Sequence, residues 1–364
     1  MIIREITNYI EKLAPLNYAE DFDNVGLLVG NYHTQVSGIL VTLDTLEETV
    51  DEAIAKNCNL IVSFHPIIFS GLKKLNGNSY VERVVLKAIQ NNIAIYATHT
   101  ALDNSKNGVS AKMCEVLGLK NNKILIPKKG IIKKLTTFVP AENKEELKSA
   151  LFAAGAGNIG NYDYCSFSVS GEGTFKGNEE SNPVLGAKGK LETVNEIKLS
   201  LTFESKNERK ILNALQENHP YEEIAYEIIT TENVHQNIGM GMIGELQTEM
   251  NEQEFLLYLK KTMQTDCVRH SAFINKKIKK VAVLGGSGSF AINNAKNAGA
   301  DAYVSADFKY HEFFKAENSI LLADIGHYES EQFTKNLLVD YLTKKFSNFA
   351  VILSEKSTNP IYYI

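Results

Sequence analysis

Short, uninterrupted apolar runs, each separated from the next by a helical stretch, constrain this chain more than any other feature. Gly38-Ile39-Leu40-Val41-Thr42-Leu43, Leu60-Ile61-Val62-Ser63-Phe64 and Ile93-Ala94-Ile95-Tyr96-Ala97 are apolar at consecutive rather than alternate positions. A strand buried on both faces reads this way, because helices cover its sheet from either side. Around these runs, apolar residues recur at helical spacing: Ile3, Ile6, Ile10 and Leu13 before Pro15, then Leu46–Ile54 and Val81–Ile89. Together they predict a parallel sheet with helices on both faces. The same style returns late in the chain. Lys280–Leu284, Ala302–Ser305 and Ser319–Ala323 read as strands, Ala291–Ala298 as a helix, and Leu337, Leu338, Tyr341 and Leu342 as the stripe of a longer one.

The middle differs. Lysine-rich stretches at Lys120–Lys128 and Lys133-Lys134 lead into a strand at Leu135–Pro140, and a helix carries Glu145, Leu147, Leu151 and Phe152. Strands follow at Cys165–Val169 and Ile197–Phe203, with Gly171–Gly189 between them as polar loop, then a helix at Glu208–Gln216 and a strand at Ala225–Thr230. This is the pattern of a small α+β unit with an open sheet. At 364 residues the chain is too long for one ordinary domain. The expected organisation is therefore an α/β core of residues 1–126 and 237–364, split by an α+β insert of residues 127–236.

Composition removes several function classes. A net charge of -5 argues against a nucleic-acid partner held by phosphate neutralisation. Cys58, Cys114, Cys165 and Cys267 are too scattered for a thiolate metal site, and read as thiols in a reducing compartment. The N-terminus lacks a basic stretch followed by an apolar run, and no segment approaches the roughly 20 apolar residues of a membrane helix. A cytoplasmic protein without a membrane partner is expected.

Chemistry-bearing residues sit just past the apolar strands. His65 follows Leu60–Phe64, His99 and Asp103 follow Ile93–Ala97, and Asp324, His327 and Glu331 follow Ile320–Ala323. Ligands of open α/β sheets bind outside the carboxyl ends of the strands, so these residues are expected in one crevice. Imidazole with carboxylate suits zinc, iron(II) or manganese. Singly, each has a structural alternative. His65 and His99 could serve the core or bond backbone, and Asp103 could cap a helix starting near Asn107. Glu331, four residues after His327 at a helix start, could complement the helix dipole.

Other motifs carry less. Gly285-Gly286-Ser287-Gly288-Ser289 reads equally as a tight turn or an anion cradle, and lacks the Lys-Ser/Thr of a phosphate loop. Asp307 reads foremost as a helix cap, with His311 a crevice candidate; Asp23-Asn24-Val25-Gly26 reads first as a turn, with its carboxylate reaching the crevice as the lesser alternative. His219-Pro220-Tyr221-Glu222-Glu223 reads as a structured loop of the insert shaping an interface.

Several of these segments are recognisable together. Asp23–Gly30, Phe64-His65-Pro66-Ile67-Ile68-Phe69, Thr98–Asp103 and Gly326-His327-Tyr328-Glu329-Ser330-Glu331 resemble the signature segments of the Nif-three-like dinuclear metal-centre family. Its members are often labelled GTP cyclohydrolase 1 type 2 homologues. The Gly-rich segment, Asp307–His311 and His219–Glu223 resemble its long, insert-bearing form. The resemblance implies a layered α/β core split by a ferredoxin-like, PII/CutA-like insert, and a homohexamer assembled as a toroid. It also implies His65, Asp103, His327 and Glu331 as metal ligands, with Glu331 bridging, and His99 as a neighbouring proton carrier. One or two divalent ions per chain follow, zinc first, with iron or manganese as alternatives. Where the family usually has two adjacent histidines, this chain has Phe64 before His65, so one imidazole is lost. The function implied is a metal-dependent hydrolase using metal-bound hydroxide on a nucleotide-like or phosphorylated small molecule, as in GTP cyclohydrolase type 2-like chemistry. The alternative is a metal-dependent regulatory scaffold with a ligand-sensing insert.

Overall fold

The computed structural model describes residues 1–364. Following the chain, helix α1 (Ile3–Leu13) precedes β1 (Gly26–Val29), β2 (Ile39–Thr42), α2 (Glu47–Ala55), β3 (Leu60–Ser63), α3 (Tyr80–Gln90) and β4 (Ala94–Ala97). Two short helices, α4 (His99–Asp103) and α5 (Val109–Val116), lead to β5 (Lys120–Lys128). The middle holds β6 (Ile132–Pro140), α6 (Lys144–Ala153), β7 (Ser166–Lys176), β8 (Leu191–Glu204), α7 (Glu208–Asn218) and β9 (Tyr226–Thr230). The last third holds β10 (His235–Asn251), α8 (Glu252–Thr262), β11 (Arg269–His270), β12 (Lys277–Ser287), α9 (Ile292–Asn297) and β13 (Ala302–Ala306). It closes with β14 (Leu321–Asp324), α10 (His327–Glu331), α11 (Thr334–Lys345) and β15 (Val351–Leu353).

The chain divides into two compact units, Met1–Pro127 with Asn237–Ile364, and Lys128–Gln236. The first is mixed α/β and contains two sheets rather than the single sheet expected. One runs β1-β4-β3-β2-β15 and the other β11-β14-β13-β12-β10-β5. In each, the continuous apolar runs form the parallel centre: β15, β2, β3 and β4 in one, β12, β13 and β14 in the other. Antiparallel strands flank them, β1 on β4, β10 on β12 and β11 on β14.

Alternate residues of these strands serve two separate cores, which is why the runs are apolar throughout. Val41, Val62 and Tyr96 pack with Ile3, Ile6 and Ile10 of α1 and Leu338 and Leu342 of α11. Leu40, Ile61 and Ile95 face the other way, onto Val50 of α2 and Val84 of α3. The second sheet repeats the arrangement. Val281, Val283 and Val304 pack against Phe255 and Leu259 of α8, and Ala282, Tyr303 and Leu322 against Ile292 and Ala295 of α9.

The second unit is a four-stranded antiparallel sheet in the order β7-β8-β6-β9, with βαββαβ connectivity. Leu147 and Leu151 of α6 and Ile211 and Leu215 of α7 pack with Leu135, Leu199, Leu201 and Phe203 of the strands. Its hairpin is longer than the sequence suggests. Gly171–Lys176, expected as loop, pairs with Leu191–Glu196 in continuous register. This stretch is mostly exposed, so backbone pairing holds it without the apolar alternation that signals a strand.

Candidate metal centre

Two five-residue helices carry most of the site. α4 follows β4 of the first sheet and α10 follows β14 of the second. Each opens on a histidine and closes on a carboxylate four residues later, His99 with Asp103 and His327 with Glu331, so each pair shares a helix face. His65 lies just past β3, after Phe64, anchored by its N–H to Leu43 O at 2.9 Å. The expected strand-end crevice is thus built from the ends of two sheets, not one.

Three imidazoles are held alike. His65 Nδ1 lies 2.8 Å from Asp44 Oδ1, His99 Nδ1 2.7 Å from Asp23 Oδ1, and His327 Nδ1 2.7 Å from Asp307 Oδ2. Each aspartate also accepts a hydroxyl, from Thr358, Thr100 and Ser287 respectively. An ionised aspartate only accepts, so each neutral ring puts its proton on Nδ1 and keeps a lone pair on Nε2. His99 and Asp307 both have positive φ, +26° and +57°. Side-chain-bearing residues rarely adopt that backbone, and such outliers gather at functional sites.

The free ring nitrogens of two of these residues converge. His65 Nε2 is 3.1 Å and His327 Nε2 is 3.2 Å from the same oxygen, Glu331 Oε2. Glu331 is buried, and that oxygen has no partner apart from these two ring nitrogens. One ligand atom from each of His65, His327 and Glu331 lies within 4.8 Å of the others. A buried, unpaired carboxylate is costly, so the cluster needs either protons or a cation.

The electrostatics describe the protonated answer. Burial alone would lower the His65 pKa, but the Glu331 charge and the contacts with Asp44 and Glu331 raise it to about 10. For His327, burial is outweighed by hydrogen bonds to Asp307 and Glu331, and its pKa rises to about 11. Burial would raise Glu331, but the two histidines bring it down to about 2. Asp103 is pushed well above the usual carboxylate range, by burial first and then by the Glu331 charge. Electrostatically, Asp103 feels Glu331, His65, Asp23 and His327, but it lies outside the three-residue ligand group. Two imidazole nitrogens converging on one buried carboxylate oxygen, with the partly buried Asp103 carboxyl electrostatically coupled to them, fit a divalent cation.

Glycine makes the room. Gly286 sits at the end of β12 with φ +68°, and a Cβ there would collide with Glu331 Oε1 and lie 3.4 Å from His327 Cε1. A Cβ on Gly285 would meet Val109 Cγ1 at 2.6 Å and Glu331 Cγ at 3.2 Å. The Gly286 N–H donates to Ser330 Oγ at 2.8 Å, tying the loop to α10.

The profile of the Duf34/NIF3 (NGG1p interacting factor 3) family matches residues 1–360. The chain belongs to this family. A Bacillus subtilis (strain 168) relative described as "GTP cyclohydrolase 1 type 2 homolog" is 37% identical over 99% of this chain and 98% of its own. A Staphylococcus epidermidis relative of the same description is 35% identical over the full length of both. Among solved structures, a Bacillus cereus protein related to NIF3 has a TM-score of 0.83 at 36% identity, covering 100% of this chain and 99% of its own. Staphylococcus aureus protein SA1388 has a TM-score of 0.80 at 30% identity, with the same coverage.

Within this Duf34/NIF3 chain, several residues play parts other than those their sequence context suggests. Asp103 caps nothing: it ends α4, and the next helix starts at Val109. Asp307 holds His327 rather than capping a helix, and Asp23 holds His99 and the Thr100 N–H. Asp324, a crevice candidate, is buried and accepts from Arg269, from Phe308 N at 2.9 Å and from Gly326 N at 3.1 Å. His311 is exposed, against Tyr310 and Phe314. His219 is buried, its ring nitrogens bonded to Phe138 O and Tyr221 N. Asp44 and Thr358 carried no signal, and Ser287 was legible only as part of the Gly-rich turn or anion cradle, because a lone Asp, Ser or Thr near a turn has many commoner roles.

Proposed function

We propose that this chain is a divalent-metal-dependent hydrolase, with His65, Asp103, His327 and Glu331 as ligands and His99 as proton carrier. The observation that carries this is the convergence of His65 Nε2 and His327 Nε2 on one buried oxygen, Glu331 Oε2, which has no other partner. A bound divalent ion would supply Lewis acidity and lower the pKa of a water it binds from about 15.7 to about 7.

The chain's own residues do the rest. Asp44 and Asp307 fix the His65 and His327 rings with Nε2 presented. The His99 ring centroid is 5.4 Å from that of His65, and its Nε2 is free to take and return a proton. Burial works against ionisation of Asp23, but the hydrogen bonds from His99 and Thr100 keep its carboxyl below its usual range, so it remains an acceptor. Phe64, where the family pattern has a second histidine, is fully buried in the apolar core and offers no donor. This reading therefore assigns one tight ion per chain, zinc first, and leaves a second to Asp103, Glu331 and water. Relatives described as GTP cyclohydrolase 1 type 2 homologues favour a nucleotide-like or phosphorylated small-molecule substrate, and a cytoplasmic homohexamer completes the reading.

One observation favours a second reading, a regulatory scaffold with a ligand-sensing, ferredoxin-like insert of the PII/CutA kind. The 128–236 unit contains a cavity of about 990 Å³ lined by Phe138, Phe175, Glu196, Lys198 and Tyr221 among others. Metal analysis of the wild type beside Glu331→Ala, with hydrolysis of GTP and other nucleotides followed in both, tests the proposal. Near-stoichiometric metal and turnover are expected in the wild type, with most of both lost in the variant. Unchanged metal in Glu331→Ala would sink the ligand assignment. Metal without turnover on any nucleotide would favour the scaffold.

A further inference from the structure

We propose that the C-terminal segment Ser354–Asn359 is a strap that positions the metal-binding His65, with Thr358 as its acting residue. The inference rests on the metal-centre reading above and extends it to a part of the chain remote in sequence. After β15 the chain has no regular secondary structure to its end. Irregular termini ordinarily fray, yet this one is fastened at every other residue or so. Ser354 N donates to Val41 O at 2.8 Å, and Ser354 Oγ to Glu52 Oε2 at 2.5 Å. Glu355 N donates to Glu52 Oε1 at 3.0 Å. Thr358 Oγ1 then donates to Asp44 Oδ2 at 2.5 Å, and Asn359 Nδ2 to Glu329 Oε1 at 2.9 Å. Ser354 and Thr358 are both buried.

The last two contacts matter to the site. Asp44 uses Oδ1 for His65 and Oδ2 for Thr358, so with both oxygens engaged its carboxylate plane, and hence the His65 ring, is set. Without Thr358, Asp44 retains a partner on one oxygen only, and its partly exposed carboxylate can turn toward water. Asn359 grips Glu329 in α10, the helix that carries His327 and Glu331. Two consecutive residues of the strap thus reach the support of His65 and the element bearing two of the other ligands, His327 and Glu331. The parallel relays reach across less of the chain: the Thr100–Asp23 bond spans 77 residues and the Ser287–Asp307 bond 20. The Thr358–Asp44 bond spans 314 residues.

The test measures zinc affinity by competition with a chromophoric chelator, and the visible spectrum of the cobalt(II)-substituted protein, at fixed pH. Replacing a residue that orients a metal-binding histidine costs about 10- to 100-fold in affinity, and Thr358 acts one bond further out. Thr358→Val, of the same shape without the hydroxyl, is expected to weaken zinc about three- to tenfold and shift the cobalt bands. Thr358→Ser, which restores the donor, should stay within about twofold of wild type. In an Asp44→Asn background the Thr358→Val effect should vanish, because the two act through one contact. Wild-type affinity and spectrum in a folded Thr358→Val, or an effect that persists undiminished beside Asp44→Asn, overturns the strap. If Thr358→Val does not fold, the Ser variant decides: a loss as large as that of Asp44→Asn, despite its retained hydroxyl, is contrary to the proposal. Absence of stoichiometric metal in the wild type itself would instead remove the metal-centre reading on which the strap depends.

Discussion

At the scale of single residues, the centre is defined by where protons sit. His65 at about 10, His327 at about 11 and Glu331 at about 2 mean that, without metal, both imidazoles are protonated and the carboxylate is ionised at neutral pH. A metal ion must displace those protons before it can use Nε2. The sign follows: both histidine pKa values lie above 7, so raising pH toward them removes the competing protons and strengthens binding. At pH 7, uptake of zinc should release up to two protons, with affinity rising up to roughly tenfold per pH unit for each proton displaced. Calorimetric titrations in buffers of different ionisation enthalpy count those protons directly. Release of none would mean that the rings are neutral before metal arrives. His65, His99, Asp103, His327 and Glu331 stood out in the sequence because each follows an apolar strand. Asp23 and Asp307 were legible there first as a turn and a helix cap, and Asp44 not at all, because their role exists only through a ring brought to them by another segment.

Elements explain why the site has its shape. α4 and α10 are each a single turn, too short to be stable alone, and both are held by the strands that precede them and by contacts made on arrival. The end of β12 supplies the complement. Its Gly-Gly-Ser was equally legible as a tight turn or an anion cradle, and the fold shows the close packing of the turn, since Gly286 admits Glu331 where any Cβ would collide. Gly286→Ala should therefore displace Glu331 and strain a backbone at φ +68°, at a cost of about 1–2 kcal/mol. Zinc affinity should fall at least about tenfold while the protein stays folded, as read by chelator competition and thermal melting. An unchanged affinity would place Glu331 away from the metal. The hairpin of β7 and β8 teaches the opposite lesson about legibility. Its outer half is polar and glycine-containing, so no periodicity announces it, and its register is written only in backbone pairing.

At the scale of the whole chain, the Lys128–Gln236 unit interrupts the α/β unit between β5 and β10. The breakpoints are close in space: a Cβ on Gly239 would lie 2.8 Å from Pro127 Cα. Deleting 128–236 and joining Pro127 to Asn237 through a short glycine linker should leave a soluble core that binds metal at wild-type stoichiometry. Size-exclusion chromatography and metal analysis check this, and an insoluble or metal-free product would show that the core needs the insert. No helix is long and apolar enough to cross a membrane, in line with the absence of long apolar runs in the sequence.

What the sequence determined by itself was local and periodic. Consecutive apolar residues specified strands buried on both faces, 3.6-residue spacing specified their covering helices, and the strand ends marked the imidazoles and carboxylates. Tertiary structure alone decided that the apolar runs form two sheets rather than one, because strands of one length and composition fit either. It alone returned β15 to the N-terminal sheet and laid the strap beside Asp44. Those pairings join residues some three hundred positions apart, and a contact at that separation leaves no periodic trace in either segment.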